Sequence, residues 1–331
     1  RDQCSMDLEL VNYSDLLDSK FISKQVKKCI NKEIKYNLKI IFLVNEIKIN
    51  LDCYFINESD LVKFIKKLKL IVKIYSFMTF YFKTNKNLKL ILYCTDLEKK
   101  LDFRKNNILD ENNVNSGLSS FSKLSDKDNY IMIWRKEEFF KVFIHEIIHY
   151  LNLDFKSELT LKNIFDILCI DKNMKIIPNE AFTDFWAITL NCIIYTSINP
   201  KQNLIENIER EIKFILEQSA KIIYYYGFSS WDDFSKNKCS IYFNQKTSIF
   251  SYYILKSCMF FYFNRTIQFL INDDDKLILR NIKKNEYEDY LSDIINSNKY
   301  IDFMNTLIKN MYSSSKVSNN LRMSNLQINF I

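Results

Sequence analysis

The apolar residues between Lys136 and residue 312 recur at helical spacing almost without interruption, which favours packed helices for this half of the chain. Few residues could break such helices, because the 331-residue chain contains only two glycines and two prolines. Buried helices are predicted where segments are apolar on nearly all sides, at 137–153 and 180–198. Amphipathic helices are predicted at roughly 203–226, 247–270, 285–295 and 297–312.

The N-terminal part has a different pattern. Residues 35–55 alternate apolar and polar side chains over two runs with a turn near Asn45–Glu46, which predicts an antiparallel hairpin. A helix is expected over 58–82, beginning at Ser59–Asp60, and strands are expected over 88–96 and 129–135, separated by a polar loop at 106–120.

Together these patterns predict an α+β fold with a strand-containing N-terminal half and a mainly helical C-terminal half. We expect three regions. Residues 1–128 form an α/β region with the hairpin, residues 129–312 form the core and the helical part, and residues 313–331 form a polar, loosely held tail.

Charge and composition narrow the classes of partner. The formal net charge is +7, but only seven of the 47 basic residues are arginine, and planar recognition of phosphates and bases favours arginine. No nucleic-acid partner is therefore expected. No apolar run reaches the roughly 18–20 residues that cross a bilayer, so no membrane span is predicted.

The amino-acid composition indicates the cellular location of the protein and the type of genome that encodes it. The eight cysteines show no C-x-x-C spacing, and most lie in apolar runs, which predicts reduced buried thiols in a cytoplasmic protein. Lys, Asn, Ile, Phe and Tyr are abundant, whereas Gly, Pro and Ala are scarce. This usage resembles that of proteins from very AT-rich genomes, such as those of large DNA viruses, so we expect the host cytoplasm or the virion.

The two histidines of the chain form one motif, His145-Glu146-Ile-Ile-His149. Residues four apart lie on one face of an α-helix, so the two imidazoles can coordinate a single ion. Imidazole nitrogens are common ligands of Zn²⁺. Buried imidazoles without partners are costly, and a shared metal would satisfy both. Glu146 follows the first histidine and is placed to reach a water at the metal.

A catalytic zinc site usually has three protein ligands and one open position, and the sequence offers two candidates for the third. Glu180 lies in the second apolar helix, where an unpaired charge would be costly, and two of the three alanines, Ala181 and Ala187, lie on the same helix. Asp154 follows His149 by five residues, and a left-handed turn at Asn152 could bring it back to the metal. We favour Glu180.

These residues carry a family resemblance. The H-E-x-x-H motif at 145–149, followed by N-E-x-x-x-D at 179–184, resembles the gluzincin clan of zinc metallopeptidases over roughly residues 129–190. The rest of the chain resembles, in composition and layout, uncharacterised peptidases of large DNA viruses. The resemblance implies a zincin-like fold, with strand 129–135 as the edge strand that holds an extended substrate.

The resemblance also implies roles for individual residues. His145, His149 and Glu180 would bind one zinc ion per chain, Glu146 would be the general base, and Asp184 would orient a ligating histidine. The chain has no third histidine to polarise the substrate carbonyl, so a tyrosine must do so.

The candidates for that tyrosine are Tyr226, which precedes one of the two glycines, and the pair Tyr252 and Tyr253. We favour Tyr226. The predicted function is therefore hydrolysis of peptide bonds in a peptide or protein substrate, which the sequence does not identify further. The alternative is a non-catalytic structural or virion protein that retains a zinc site, although such a site has no use for the base Glu146.

Overall fold

The computed structural model describes residues 3–10, 22–103, 108–120, 129–154, 162–168, 170, 174–235, 243–271 and 283–328. Its fold class is α+β, as predicted. The chain forms two compact units that alternate along the sequence. One comprises Arg1–Glu98, Asn115–Asn152 and Gln327–Ile331, and the other comprises Lys99–Val114 and Leu153–Leu326. Each unit therefore contains residues from both the predicted region 1–128 and the predicted region 129–312.

The first unit is built on a six-stranded mixed sheet with the order β1-β2-β3-β4-β6-β5. Its strands are β1 (Gln3–Leu10), β2 (Tyr36–Val44), β3 (Ile47–Phe55), β4 (Leu88–Cys94), β5 (Gly117–Ser120) and β6 (Tyr130–Ile133). β1, β2 and β3 pair antiparallel, β3, β4 and β6 pair parallel, and β5 returns antiparallel to β6.

The predicted hairpin is confirmed as β2 and β3. Tyr36 pairs with Phe55 and Val44 with Ile47, and the two turn residues Asn45 and Glu46 have φ values of 48° and 69°. Positive φ at both central positions is the geometry that matches a two-residue turn to the twist of the strands.

The prediction that strand 129–135 is the edge strand is wrong. The strand exists as β6, but it lies between β4 and β5, and β5 is the edge on that side among the described strands. β5 falls in the segment predicted as a polar loop, because its four residues, G-L-S-S, carry too little apolar pattern to indicate a strand.

The helices of the first unit cover its sheet. They are α1 (Lys24–Glu33), α2 (Glu58–Ile65), α3 (Leu68–Tyr81) and α5 (Phe139–Tyr150). α1 packs on one sheet face, where Val26 and Ile30 join a core with Tyr54, Tyr93 and Trp134. The helix expected over 58–82 is divided at Lys66–Lys67, where the Lys67 amide donates to the Phe64 carbonyl at 2.7 Å.

The second unit is mainly helical. It contains α4 (Glu111–Val114), α6 (Lys162–Ile167), α7 (Pro178–Ile198), α8 (Leu204–Tyr225), a short helix Trp231–Asp233, a π-helix Phe250–Leu255, and helices Lys256–Phe261, Phe263–Leu270, Lys284–Ile295 and Asn298–Ser313. Pro178 occupies the first turn of α7, where its missing N–H costs no helical hydrogen bond. No helix among the described residues is long and apolar enough to cross a membrane.

Residues 321–326 are packed, contrary to the expectation of a loosely held tail over 313–331, whereas most of residues 313–320 are exposed. Leu321 and Ser324 are fully buried, and the Glu211 carboxylate accepts hydrogen bonds from the Ser324 hydroxyl and from the amides of Asn325 and Leu326. The polar residues that indicated a tail thus bind polar groups of the helices, a long-range pairing that the sequence pattern does not reveal.

Candidate metal centre

The helix that carries the histidine motif, α5, lies in the interior of the first unit. It packs against β5 and β6, and of its twelve residues only His149 is not buried. The N-cap residue of the helix is Glu138, which adopts the left-handed conformation with φ 57°. A buried helix of this kind holds its side chains in fixed positions, as a functional site requires.

The two imidazoles face each other on this helix. Nε2 of His145 and Nε2 of His149 are 3.1 Å apart, and His145 is 5% exposed. Two ligands at about 2.0–2.1 Å from one tetrahedral zinc ion are separated by about 3.3 Å. The observed separation therefore suits a shared metal, and it also suits a hydrogen bond between two neutral imidazoles.

Glu146 lies beside the edge strand of the sheet. A Cβ atom placed on Gly117 would lie 3.0 Å from Oε1 of Glu146 and 2.9 Å from Cγ1 of Val142. Glycine at this position of β5 therefore leaves room for the Glu146 carboxylate, which is itself buried. This explains why one of the two glycines stands at this position, in the segment that the sequence predicted as a polar loop.

Glu180 stands in the first turn of α7, where a negative charge is favoured by the helix dipole. The Tyr252 hydroxyl donates a hydrogen bond of 2.8 Å to Oε2 of Glu180. Tyr252 belongs to the π-helix Phe250–Leu255. Such helices are rare in proteins overall, and those that occur often lie at functional sites. The contact fixes the Glu180 carboxylate within the second unit.

One ligand atom from each of His145, His149 and Glu180 lies within 4.8 Å of the other two. Among the described residues, these three are the group of potential metal ligands whose ligand atoms lie close enough to share one ion. Asp154, the other candidate, is not in the group, although Asn152 does adopt the left-handed conformation, with φ 56°. Two imidazole nitrogens and one carboxylate oxygen are a donor set that zinc accepts.

Asp184 lies one turn after Glu180 on α7 and is fully buried. It forms an ion pair with Lys256, whose Nζ lies 2.5 Å from Oδ2 of Asp184 and also donates to the Met323 carbonyl at 3.3 Å. Sequence reasoning missed Lys256. The sequence did contain a pattern that could have indicated this pair. Lys256 follows Tyr252 by four residues in a mainly apolar run, and Asp184 follows Glu180 by the same interval.

The candidate tyrosines and the nearby Arg135 have distinct surroundings. The Tyr226 hydroxyl donates to the Asn244 carbonyl, and the Tyr253 hydroxyl donates to the Leu321 carbonyl at 2.6 Å. Tyr252 is therefore the candidate tyrosine whose hydroxyl contacts a candidate ligand. Arg135 is 2% exposed and donates from Nε to the Asn115 carbonyl, which gives it a structural partner.

Comparison with known proteins shows similarity to a viral protein. The chain is 22% identical over 338 aligned positions to the uncharacterised protein R210 of Acanthamoeba polyphaga mimivirus, covering 97% of this chain and 83% of that protein. This similarity supports the viral character predicted from residue usage. No family model and no solved structure matches the chain.

Proposed function

We propose that this protein is a zinc-dependent peptidase with a zincin-like catalytic site. The observation that carries the proposal is the convergence of His145, His149 and Glu180, with their ligand atoms within 4.8 Å of one another, on a chain that has no other histidine. When bound, zinc supplies a Lewis acid that polarises a carbonyl and lowers the pKa of water to about 7.

Glu146 is the general base in this proposal. Its carboxylate accepts a proton from the attacking water and later delivers that proton to the departing amine nitrogen. The side chain is held for this role by its burial on α5 and by its position against Gly117. A structural zinc site would need no carboxylate at this position.

The edge strand β5 is the proposed platform for an extended substrate. A peptide can add to an exposed strand edge through main-chain hydrogen bonds, and β5 is an edge among the described strands. Because Gly117 of β5 lies against Glu146, a peptide bond bound along this strand would lie near the base.

Tyr252 is assigned a positioning role, because its hydroxyl holds the Glu180 carboxylate. The donor to the tetrahedral oxyanion stays a prediction, with Tyr226 favoured over Tyr252 and Tyr253. Asp184 as the carboxylate that orients a histidine also stays a prediction.

The test combines metal analysis with a matched inactive variant. Purified wild type and Glu146→Gln should each contain one zinc ion per chain, and a mixed peptide library should be cleaved only by the wild type. The Gln variant keeps the size and polarity of the side chain but removes the base. Zinc in both proteins with no cleavage by the wild type would favour a non-catalytic structural or virion role, and absence of zinc from both would overturn the metal site.

A further inference from the structure

The positive charge of this chain is concentrated in one segment. Residues 61–95 contain eight lysines and no aspartate or glutamate, a local net charge of +8. The whole chain has a net charge of +7, so the remaining residues together carry −1. The lysines are Lys63, Lys66, Lys67, Lys69, Lys73, Lys83, Lys86 and Lys89.

The same segment exposes large apolar side chains on α2 and α3. Phe80 is 83% exposed, Phe77 is 55% exposed and Val62 is 50% exposed. The exposed residues alternate with exposed lysines on the outer side of the two helices, and we call this set the α2–α3 face. It consists of Val62, Lys63, Ile65, Lys66, Lys69, Lys73, Phe77, Phe80 and Tyr81.

Helical geometry makes part of this face a continuous stripe. Lys69, Lys73, Phe77 and Tyr81 follow one another at intervals of four residues, and Phe80 lies beside the last of them. The lysines occupy the first half of α3 and the aromatic rings occupy the second half. The opposite side of α3 is buried, with Ile71 and Tyr75 fully covered, so the exposed aromatic residues are not needed for the core.

We propose that the α2–α3 face docks onto the surface of an anionic lipid bilayer. Aromatic and aliphatic side chains gain free energy by entering the boundary between headgroups and acyl chains, while lysines attract anionic headgroups and extend towards them. The absence of acidic residues from 61–95 gives the charge complementarity that such a surface requires. The docking is peripheral and is independent of the metal centre.

Lipid fits this face better than nucleic acid does. The segment contains no arginine, and its exposed Val62 and Ile65 offer aliphatic surface, on which a base cannot stack. The Phe77 ring is already stacked on Tyr81, with centroids 5.8 Å apart. Base stacking would need free ring faces, whereas insertion into an interface uses the whole side chain.

The test is co-sedimentation of the full chain with vesicles of phosphatidylcholine, with or without roughly one third phosphatidylserine. We expect binding to the anionic vesicles, weakened by salt, and little binding to pure phosphatidylcholine. Lys69→Gln with Lys73→Gln should lower the partition coefficient about 25-fold, since each lysine near an anionic surface contributes about fivefold. Phe77→Ser with Phe80→Ser should lower it at least about tenfold.

Matched controls separate the face from general charge and hydrophobicity. Lys201→Gln with Lys309→Gln removes the same charge from exposed positions elsewhere, and Ile205→Ser removes a side chain that is 68% exposed on α8. Both controls should bind anionic vesicles as the wild type does. Equal losses in controls and face variants, equal binding to both vesicle types, or binding to single-stranded DNA but not to lipid would each overturn the proposal. Conversion of a dimer to a monomer by the phenylalanine variant, without vesicle binding by the wild type, would also overturn it.

Discussion

The buried ion pair between Lys256 and Asp184 provides the sharpest test of how the second unit is stabilised. Lys256→Met removes the ammonium group and leaves a carboxylate that is fully buried. Breaking such a pair by removing one partner costs about 3–5 kcal/mol of unfolding free energy, because the remaining charge stays in the interior. Methionine keeps most of the volume of the lysine chain, so little of this cost arises from a cavity.

The structure supplies a matched exposed pair. Arg265 and Asp293 also approach to 2.5 Å, but their side chains are 54% and 61% exposed. An exposed pair contributes about 0–1 kcal/mol, because water screens the charges. Arg265→Met should therefore cost no more than about 1 kcal/mol, although the distance between the charged groups is the same.

Urea unfolding followed by circular dichroism measures both changes under one condition. Adding Asp184→Leu to Lys256→Met should recover part of the loss, because the buried negative charge is then gone. Equal costs for Lys256→Met and Arg265→Met would refute the reasoning, since burial would then not decide the contribution of the pair. A double variant less stable than the sum of the two single changes would refute it as well.

The remaining predictions concern the site and the pH dependence. Gly117→Ala should lower the rate of peptide hydrolysis about 10–100-fold without loss of zinc, because the added methyl would displace Glu146; steady-state kinetics and metal analysis check the rate and the zinc content. Tyr252→Phe should weaken zinc affinity about 10–100-fold in a competition with a chelator, since it frees the carboxylate that the hydroxyl holds. Burial raises the pKa of Cys258 from 9.0 to about 12, so the unfolded chain loses this proton first and stability falls as pH rises above 9. Wild type should therefore lose stability relative to Cys258→Ala as pH rises from 10 to 11, on the order of 1 kcal/mol, measured by urea unfolding.

Elements with a strong local pattern could be predicted from the sequence. The β2–β3 hairpin follows from two alternating runs around Asn45–Glu46, and α7 follows from a long apolar segment with Pro178 at its start. In these cases the pattern and the packing agree, because the residues that determine the element are neighbours in the chain.

Elements set by long-range contacts were missed. β5 has only four residues and exists because it pairs with β6, and residues 324–326 are held in place because Glu211 accepts three hydrogen bonds from them. The π-helix Phe250–Leu255 was predicted as ordinary helix, since its apolar spacing does not distinguish the two. Glu211 lies more than 100 residues before the groups that it binds, so no local pattern could indicate this contact.

In the candidate site, too, the residues related by a local sequence pattern were predicted, and two of the long-range contacts were not. His145 and His149 lie four residues apart on one helix, so their common face followed directly from the spacing. Glu180 could be chosen over Asp154 from the sequence because an unpaired carboxylate in an apolar helix would be costly to bury. This energetic argument does not depend on knowing the geometry.

Tyr252 and Lys256 required the structure, because the sequence cannot show that the π-helix segment packs against α7. The two contacts repeat with the same four-residue interval on both elements, Tyr252 to Glu180 and Lys256 to Asp184. The π-helix and the helix Lys256–Phe261 that directly follows it thus contact both carboxylates of the N-E-x-x-x-D motif. If that shared support is what keeps the motif in place, Lys256→Met should weaken zinc affinity as well as stability, and the loss of affinity should persist at low urea where the protein remains folded.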